Sequence, residues 1–133
     1  MAGGHRTLLP PGWPRPRGYA NGIAAQGRLI VTGGIIGWDE QERLTAPDLV
    51  GQFRQVLCNT LAVLAEGGAL PEHIVRMTWY VVDRNDYVAN LAGMGAAYRE
   101  LIGRNYPAMA VVQVVALVEP GALIEIETMA VVP

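Results

Sequence analysis

Near the C-terminus, Leu123-Ile124-Glu125-Ile126-Glu127 alternates carboxylates with isoleucines, so a strand there presents Glu125 and Glu127 on one face and Ile124 and Ile126 on the other. A carboxylate so placed can act as base for an attacking water, although on the residues alone both glutamates read as solvated or arginine-paired side chains. Other chemistries are narrowed by what the chain lacks. All ten basic residues are arginine, so no lysine can form a Schiff base. The single cysteine, Cys58, excludes an intramolecular disulfide and a cysteine-based zinc cluster; beside Leu57 and Leu61 in a predicted helix it reads as a packing residue. His5 and His73 are too far in sequence from each other and from Glu125 to suggest a ligand set, so no metal is expected. Trp38 follows a loop broken by Gly33, Gly34 and Gly37 and precedes Asp39-Glu40. It reads as an anchor packing over a neighbouring subunit, or else as a lid stacking on an aromatic or unsaturated ligand.

The elements that must position these residues follow from periodicity. Leu49, Phe53, Val56/Leu57, Thr60/Leu61 and Leu64 recur at the helical period, started by Thr45 or Pro47 and stopped by Gly67-Gly68. A second helix runs from Asn85 or Asp86 to Gly103 with Tyr87, Leu91, Met94, Tyr98 and Leu101 on one face. The stretch 73–82 is β-branched and aromatic, a central strand. Short β-compatible runs at 19–25 and 28–32 flank Gln26-Gly27, which predicts a hairpin with Gly27 at positive φ. A final pair of strands, 109–118 and 122–132, is joined by Glu119-Pro120-Gly121. The order β-β-α-β-α-β-β predicts an α+β domain, a mixed sheet with two helices on one face. Residues 1–17, rich in Gly, Pro and Arg, read as a flexible lead-in to a single domain over 18–133.

Apart from Gln113, the strand after Met109 is apolar at both parities and should be covered on both sides. Two helices cover only one, so a homo-oligomer is expected. With a net charge of −2 and scattered arginines, nucleic acid is not an expected partner. The sequence has neither an apolar run long enough to span a bilayer nor an apolar signal region, so no membrane association and a cytoplasmic location are expected.

From Gly18 onward the chain resembles the Rid family (RidA/YjgF, endoribonuclease L-PSP). The resemblance is carried by Gly18-Tyr19-Ala20-Asn21-Gly22, Leu29-Ile30-Val31-Thr32-Gly33-Gly34, Gln52-x-x-Gln55-x-x-x-Asn59, Met77-Thr78-Trp79-Tyr80-Val81, Asn85-Asp86-Tyr87 with Asn90, Tyr106-Pro107-Ala108, and 121–127. It implies a chorismate-mutase-like fold, a homotrimer with clefts between subunits, and cofactor-free hydrolysis of reactive imines or enamines. Aminomuconate-type deamination falls within that chemistry. By the same resemblance Glu125 is the carboxylate that activates water, and Tyr19 and Asn90 contact substrate; Gly34 reads as a strand-end bend or a backbone contact to ligand, and Ile35 as part of an apolar wall.

One position departs. Where active relatives carry an arginine for the substrate carboxylate, this chain has Met109. A guanidinium offers a bidentate fork and a thioether does not, a loss of about 1.5–3 kcal/mol, or roughly tenfold to hundredfold in binding. The loop Gly33-Gly34-Ile35-Ile36-Gly37 replaces the usual Ser-Gly-Gln-Ile-Pro, and Ala110-Val111 replaces small polar or cysteine residues, which makes the pocket more apolar. The function read from this is a deaminase of altered specificity with Ile35, Met109 and Trp38 as an apolar wall; Arg17 reads as a solvated tail arginine, or else as a replacement cation for position 109. A non-catalytic trimer holding a small metabolite is the alternative, and a ribonuclease or translation inhibitor has no electrostatic support.

Overall fold

The computed structural model describes residues 4–133. Its elements are β1 (Arg6–Leu8), β2 (Gly22–Ala24), β3 (Arg28–Val31), α1 (Leu49–Glu66), β4 (Ile74–Val81), α2 (Arg84–Ala89), α3 (Leu91–Leu101), β5 (Ala108–Gln113) and β6 (Ile124–Val132). Four strands form a mixed sheet in the order β3-β6-β4-β5, with β4 and β5 parallel and the other pairs antiparallel. The helices cover one face. Against them lie Ile124, Ile126 and Ala130 of β6 and Ile74, Met77, Trp79 and Val81 of β4, all buried. The expected α+β architecture holds.

Helix α1 begins where the Asp48 carboxylate accepts the Gly51 N–H at 3.1 Å and ends at Gly67, whose N–H bonds the Leu64 carbonyl. Its predicted stripe is buried, and Phe53 at its centre packs on Trp79 with ring centroids 4.8 Å apart. Full burial of such a side chain contributes about 1.5–3 kcal/mol. The second helix is in fact two, broken at Asn90, whose ψ of 17° departs from helical backbone. It starts earlier than predicted, because Asp83 caps it by accepting the N–H groups of Asn85 and Asp86.

Several strand expectations change. The runs around Gln26-Gly27 do not pair with each other: β2 pairs with β1, and β3 pairs with β6. Gly27 does have positive φ, 144°, but what requires glycine is the close approach of the chain end, since a Cβ there would lie 2.9 Å from the Pro133 Cα. The last two strands are not neighbours, because β4 lies between them. Strand β5 stops at Gln113 rather than 118, because its partner β4 ends at Val81; beyond that point Val115 and Val118 are fully exposed. His73 closes a 3-10 turn rather than opening β4. Cys58 is exposed, not packed, since it falls off the buried stripe of α1.

Residues 1–3 of the expected lead-in lie outside the described residues. Order begins before Gly18: β1 pairs antiparallel with β2, and His5 is buried. The two histidines, remote in sequence, meet here. His5 Nε2 lies 3.1 Å from the His73 carbonyl, and the rings are edge-on at 6.5 Å. Burial, and then the neighbouring His73, lower the His5 pKa below its usual 6.5. The unfolded chain therefore binds the proton more readily, so this contact stabilises fully above about pH 6.5 and is lost as pH falls below it. Hydrogen exchange in β2 should speed up at pH 5.5 relative to pH 7.5 beyond the intrinsic rate change, and His5→Phe should remove that excess. Equal protection at both values in the wild type would refute the His5 latch.

Candidate functional site

A cavity of about 530 Å³ opens between α3 and β5. The β4–β5 register pairs Met77 with Met109 and Trp79 with Val111, which turns Met109 toward the helices and into this cavity. Tyr19 reaches the same space because the Ala20 N–H bonds the Pro107 carbonyl at 2.9 Å, tying the N-terminal segment to the start of β5. Tyr98 and Tyr106 stack there, centroids 5.7 Å apart and planes 12° from parallel. The Tyr98 hydroxyl donates to the Asn105 carbonyl, and burial raises its pKa far above the usual tyrosine value. Arg17 and Arg99 also line the cavity.

A second cavity, about 440 Å³, is lined by Gly34, Ile35, Trp38, Asp39, Glu119 and Glu125, among others. Its loop is fastened from both sides. Ile35 and Ile126 exchange two backbone hydrogen bonds of 2.9 Å, and the Asn59 amide donates to the carbonyls of Ile36 (3.2 Å) and Trp38 (2.7 Å). Asn59 is itself oriented by Gln55, whose amide donates to the Asn59 side-chain oxygen at 2.8 Å. A Cβ on Gly34 would lie 2.8 Å from Glu125 Cδ, so glycine makes room for the carboxylate. Asp39 accepts the N–H groups of Arg43 and Gln41, which hold its carboxyl below the usual range. On the same sheet face Tyr80 stands opposite Glu125, and its hydroxyl donates to Glu127 at 2.6 Å, a bond that raises the tyrosine pKa.

The residues expected to form one site are thus divided. Tyr19, Met109 and Arg17 share the first cavity; Gly34, Ile35, Trp38 and Glu125 share the second. Met109 and Glu125 face opposite sides of one sheet: Met109 is level with buried Met77, whereas Glu125 opposes Tyr80 on the face away from the helices. Asn90 lines neither cavity, because its amide is engaged with the carbonyl and carboxylate of Asp86, at 2.8 and 2.9 Å. Sequence reasoning did not single out Arg99, Tyr98 or Tyr106 as cavity residues, nor Asn59 as the loop's anchor. For Asn59 the signal was present in the Gln55-x-x-x-Asn59 spacing, which places the two amides one helical turn apart. Among the described residues no cluster of His, Cys, Asp and Glu could hold a metal ion, and no helix is long and apolar enough to cross a membrane.

A mixed sheet with helices on one face and a cavity on either side makes a small α+β domain, and the solved structures on which it superposes give it the YjgF/L-PSP fold. The chain belongs to the Rid family: residues 14–132 match the endoribonuclease L-PSP family. It is 34% identical over 118 residues to a RutC family protein of Pyrococcus horikoshii, covering 88% of this chain and 90% of that one. It is 33% identical over 113 residues to a 2-iminobutanoate/2-iminopropanoate deaminase of Salmonella typhimurium, covering 85% and 86%. The crystal structure of the Rid family protein YyfB from Yersinia pestis, described as of unknown function, superposes with a TM-score of 0.85 at 32% identity over 96% of this chain and 98% of that one.

Proposed function

We propose that the protein is a hydrolytic deaminase of reactive imines or enamines whose substrate range differs from that of small 2-imino acids. The observation that carries this reading is the Glu125 carboxylate, seated against Gly34 in a cavity whose loop is fixed by Asn59 and by Ile126. Glu125 takes a proton from a water as the oxygen bonds to the carbon of the protonated imine, giving a neutral carbinolamine. Glu125 returns that proton to the carbinolamine nitrogen, and as the C–N bond breaks it takes the hydroxyl proton, which passes to solvent, releasing ketone and ammonia. None of these steps requires a cofactor.

Since Met109 and Glu125 face opposite sides of the sheet, a complete site needs a second copy, with the Glu125 face of one protomer closing the Met109 cavity of the next. A homotrimer provides three such clefts. Its support here is the exposed apolar row Leu29, Val31 and Met129 on the open sheet face, and the opposite charges of the two cavities: Arg17 and Arg99 in one, Asp39, Glu40, Glu119 and Glu125 in the other.

The test is ammonia release from freshly generated 2-iminobutanoate, read beside the Salmonella deaminase, with mass by light scattering on the same sample. Without a guanidinium at 109, binding of that small acid should be about tenfold to hundredfold weaker than in the deaminase, and Met109→Arg should recover part of the difference. Wild-type activity equal to the deaminase would refute altered specificity. The alternative, a non-catalytic metabolite-binding trimer, is favoured by Met109 alone; it would be supported by tight ligand binding with no ammonia released from any imine.

A further inference from the structure

Met109 carries no charge, yet the cavity it lines holds two cations. Arg99 and Arg17 both face that space, and among the described residues neither is in an ion pair, since the nearby Glu100 is taken by Arg54. Arg99 lies back along its own helix. A Cβ built on Gly95, one turn earlier, would be 3.2 Å from an Arg99 guanidinium nitrogen, so the missing side chain at 95 gives the fork room at the cavity wall. The rest of the wall is aromatic: the stacked pair Tyr98 and Tyr106, Trp79 at 6.1 Å from Tyr98, and the rims Tyr19 and Tyr87. Trp79 also carries a buried indole N–H without a hydrogen-bond partner among the described residues. The volume, about 530 Å³, falls in the usual range for small-molecule sites.

We propose that Arg99, assisted by Arg17, is the carboxylate anchor of this cavity in place of residue 109, and that its ligand is an aromatic carboxylate whose ring lies beside Tyr98, Tyr106 and Trp79. A planar ring extends the existing aromatic stack, and the guanidinium forks meet the carboxylate at the cavity mouth. This rests on the deaminase reading for the reaction, which would then take imines of aromatic 2-amino acids, but the binding claim stands apart from it.

The experiment is calorimetric titration of the full chain with phenylpyruvate, pyruvate and the methyl ester of phenylpyruvate, using wild type, Arg99→Gln, Arg99→Lys and Arg17→Gln. Wild type should bind phenylpyruvate at least about tenfold tighter than pyruvate. Losing the ligand's charge or the Arg99 fork should each weaken binding about tenfold to hundredfold, with Arg99→Lys intermediate and Arg17→Gln smaller in effect. Arg99 is exposed on its helix, so an unchanged thermal melt is expected for its variants. Binding of phenylpyruvate that is indifferent to Arg99, or no tighter than binding of pyruvate, overturns the inference. Ammonia release measured in parallel separates the two claims. Release that needs Glu125 but not Arg99 leaves the deaminase standing and removes the anchor; Arg99-dependent binding with no Glu125-dependent release does the reverse.

Discussion

Glu125→Gln is expected to lower ammonia release from any imine the protein hydrolyses by about 10²- to 10⁴-fold, the range for removing a general acid–base group. The amide keeps the size of the side chain beside Gly34 but cannot accept the proton of the attacking water. Binding of a stable oxo acid should change far less, because the side chains that line the aromatic cavity and would hold the acid, Arg99, Tyr98 and Tyr106, are left untouched, while the glutamate brought to that cavity by the neighbouring copy acts on the water. A fall in the turnover number with nearly constant affinity is therefore the signature. Gly34→Ala should move activity the same way with Glu125 itself unchanged, because the new methyl would come within 2.8 Å of Glu125 Cδ and the glutamate would have to rotate away. If Glu125→Gln retains near wild-type turnover, the water is activated elsewhere and the role assigned to this residue is wrong.

The largest expected effect on stability belongs to Gln52, a polar residue only 1% exposed within the stripe of α1. Its amide nitrogen donates to the carbonyls of Ala46 (3.1 Å) and Gly121 (2.9 Å), and its oxygen accepts the Leu123 N–H (2.8 Å). One side chain thereby joins the loop before α1 to the turn that feeds β6. Gln52→Leu conserves volume, so no large cavity forms, but it removes the partner of three part-buried backbone hydrogen bonds. At about 1–3 kcal/mol for each unsatisfied buried group, with some recovered by water at the loop edge, the loss should be about 2–4 kcal/mol in chemical denaturation. A denaturation midpoint equal to that of wild type would show that water replaces all three bonds at no cost. Because Gly121 and Leu123 lead directly into Glu125, the same variant should also lose activity below its melting transition.

Gln52 marks where the sequence was and was not legible. The stripe of α1 could be read because burial repeats at the helical period, and a glutamine within it looks like a break in the pattern until its three backbone partners are known. Alternation correctly put Glu125 opposite Ile124 and Ile126, since that parity is a property of one strand. Whether Glu125 and Met109 share a face depends on the pairing of β6 and of β5 with β4, which neither segment encodes alone. The hairpin expected at Gln26-Gly27 failed for a related reason: turn chemistry favoured it locally, but β1 and β6 offered longer-range partners to the two strands. The apolar run after Met109 carried no period at all, so the end of β5 was set by the length of its neighbour. Arg99 was invisible because an exposed arginine late in a helix looks the same whether it faces bulk water or an aromatic cavity.

The small β1–β2 sheet makes the segment between them a loop held at both ends. It is pinned by the ladder at Leu8 and Gly22 and by the bond from Ala20 to Pro107, with Trp13, four prolines and Arg17 in the span between. A cation on such a tether is present at the cavity mouth at an effective concentration on the order of millimolar without a contact to fix it. The stiffness given by the prolines narrows the volume it can sample. Cutting the chain between Leu8 and Arg17, or deleting β1, would leave Arg17 held only through Ala20 and let it sample a larger volume, so ligand affinity would depend on a strand that lines no part of the cavity.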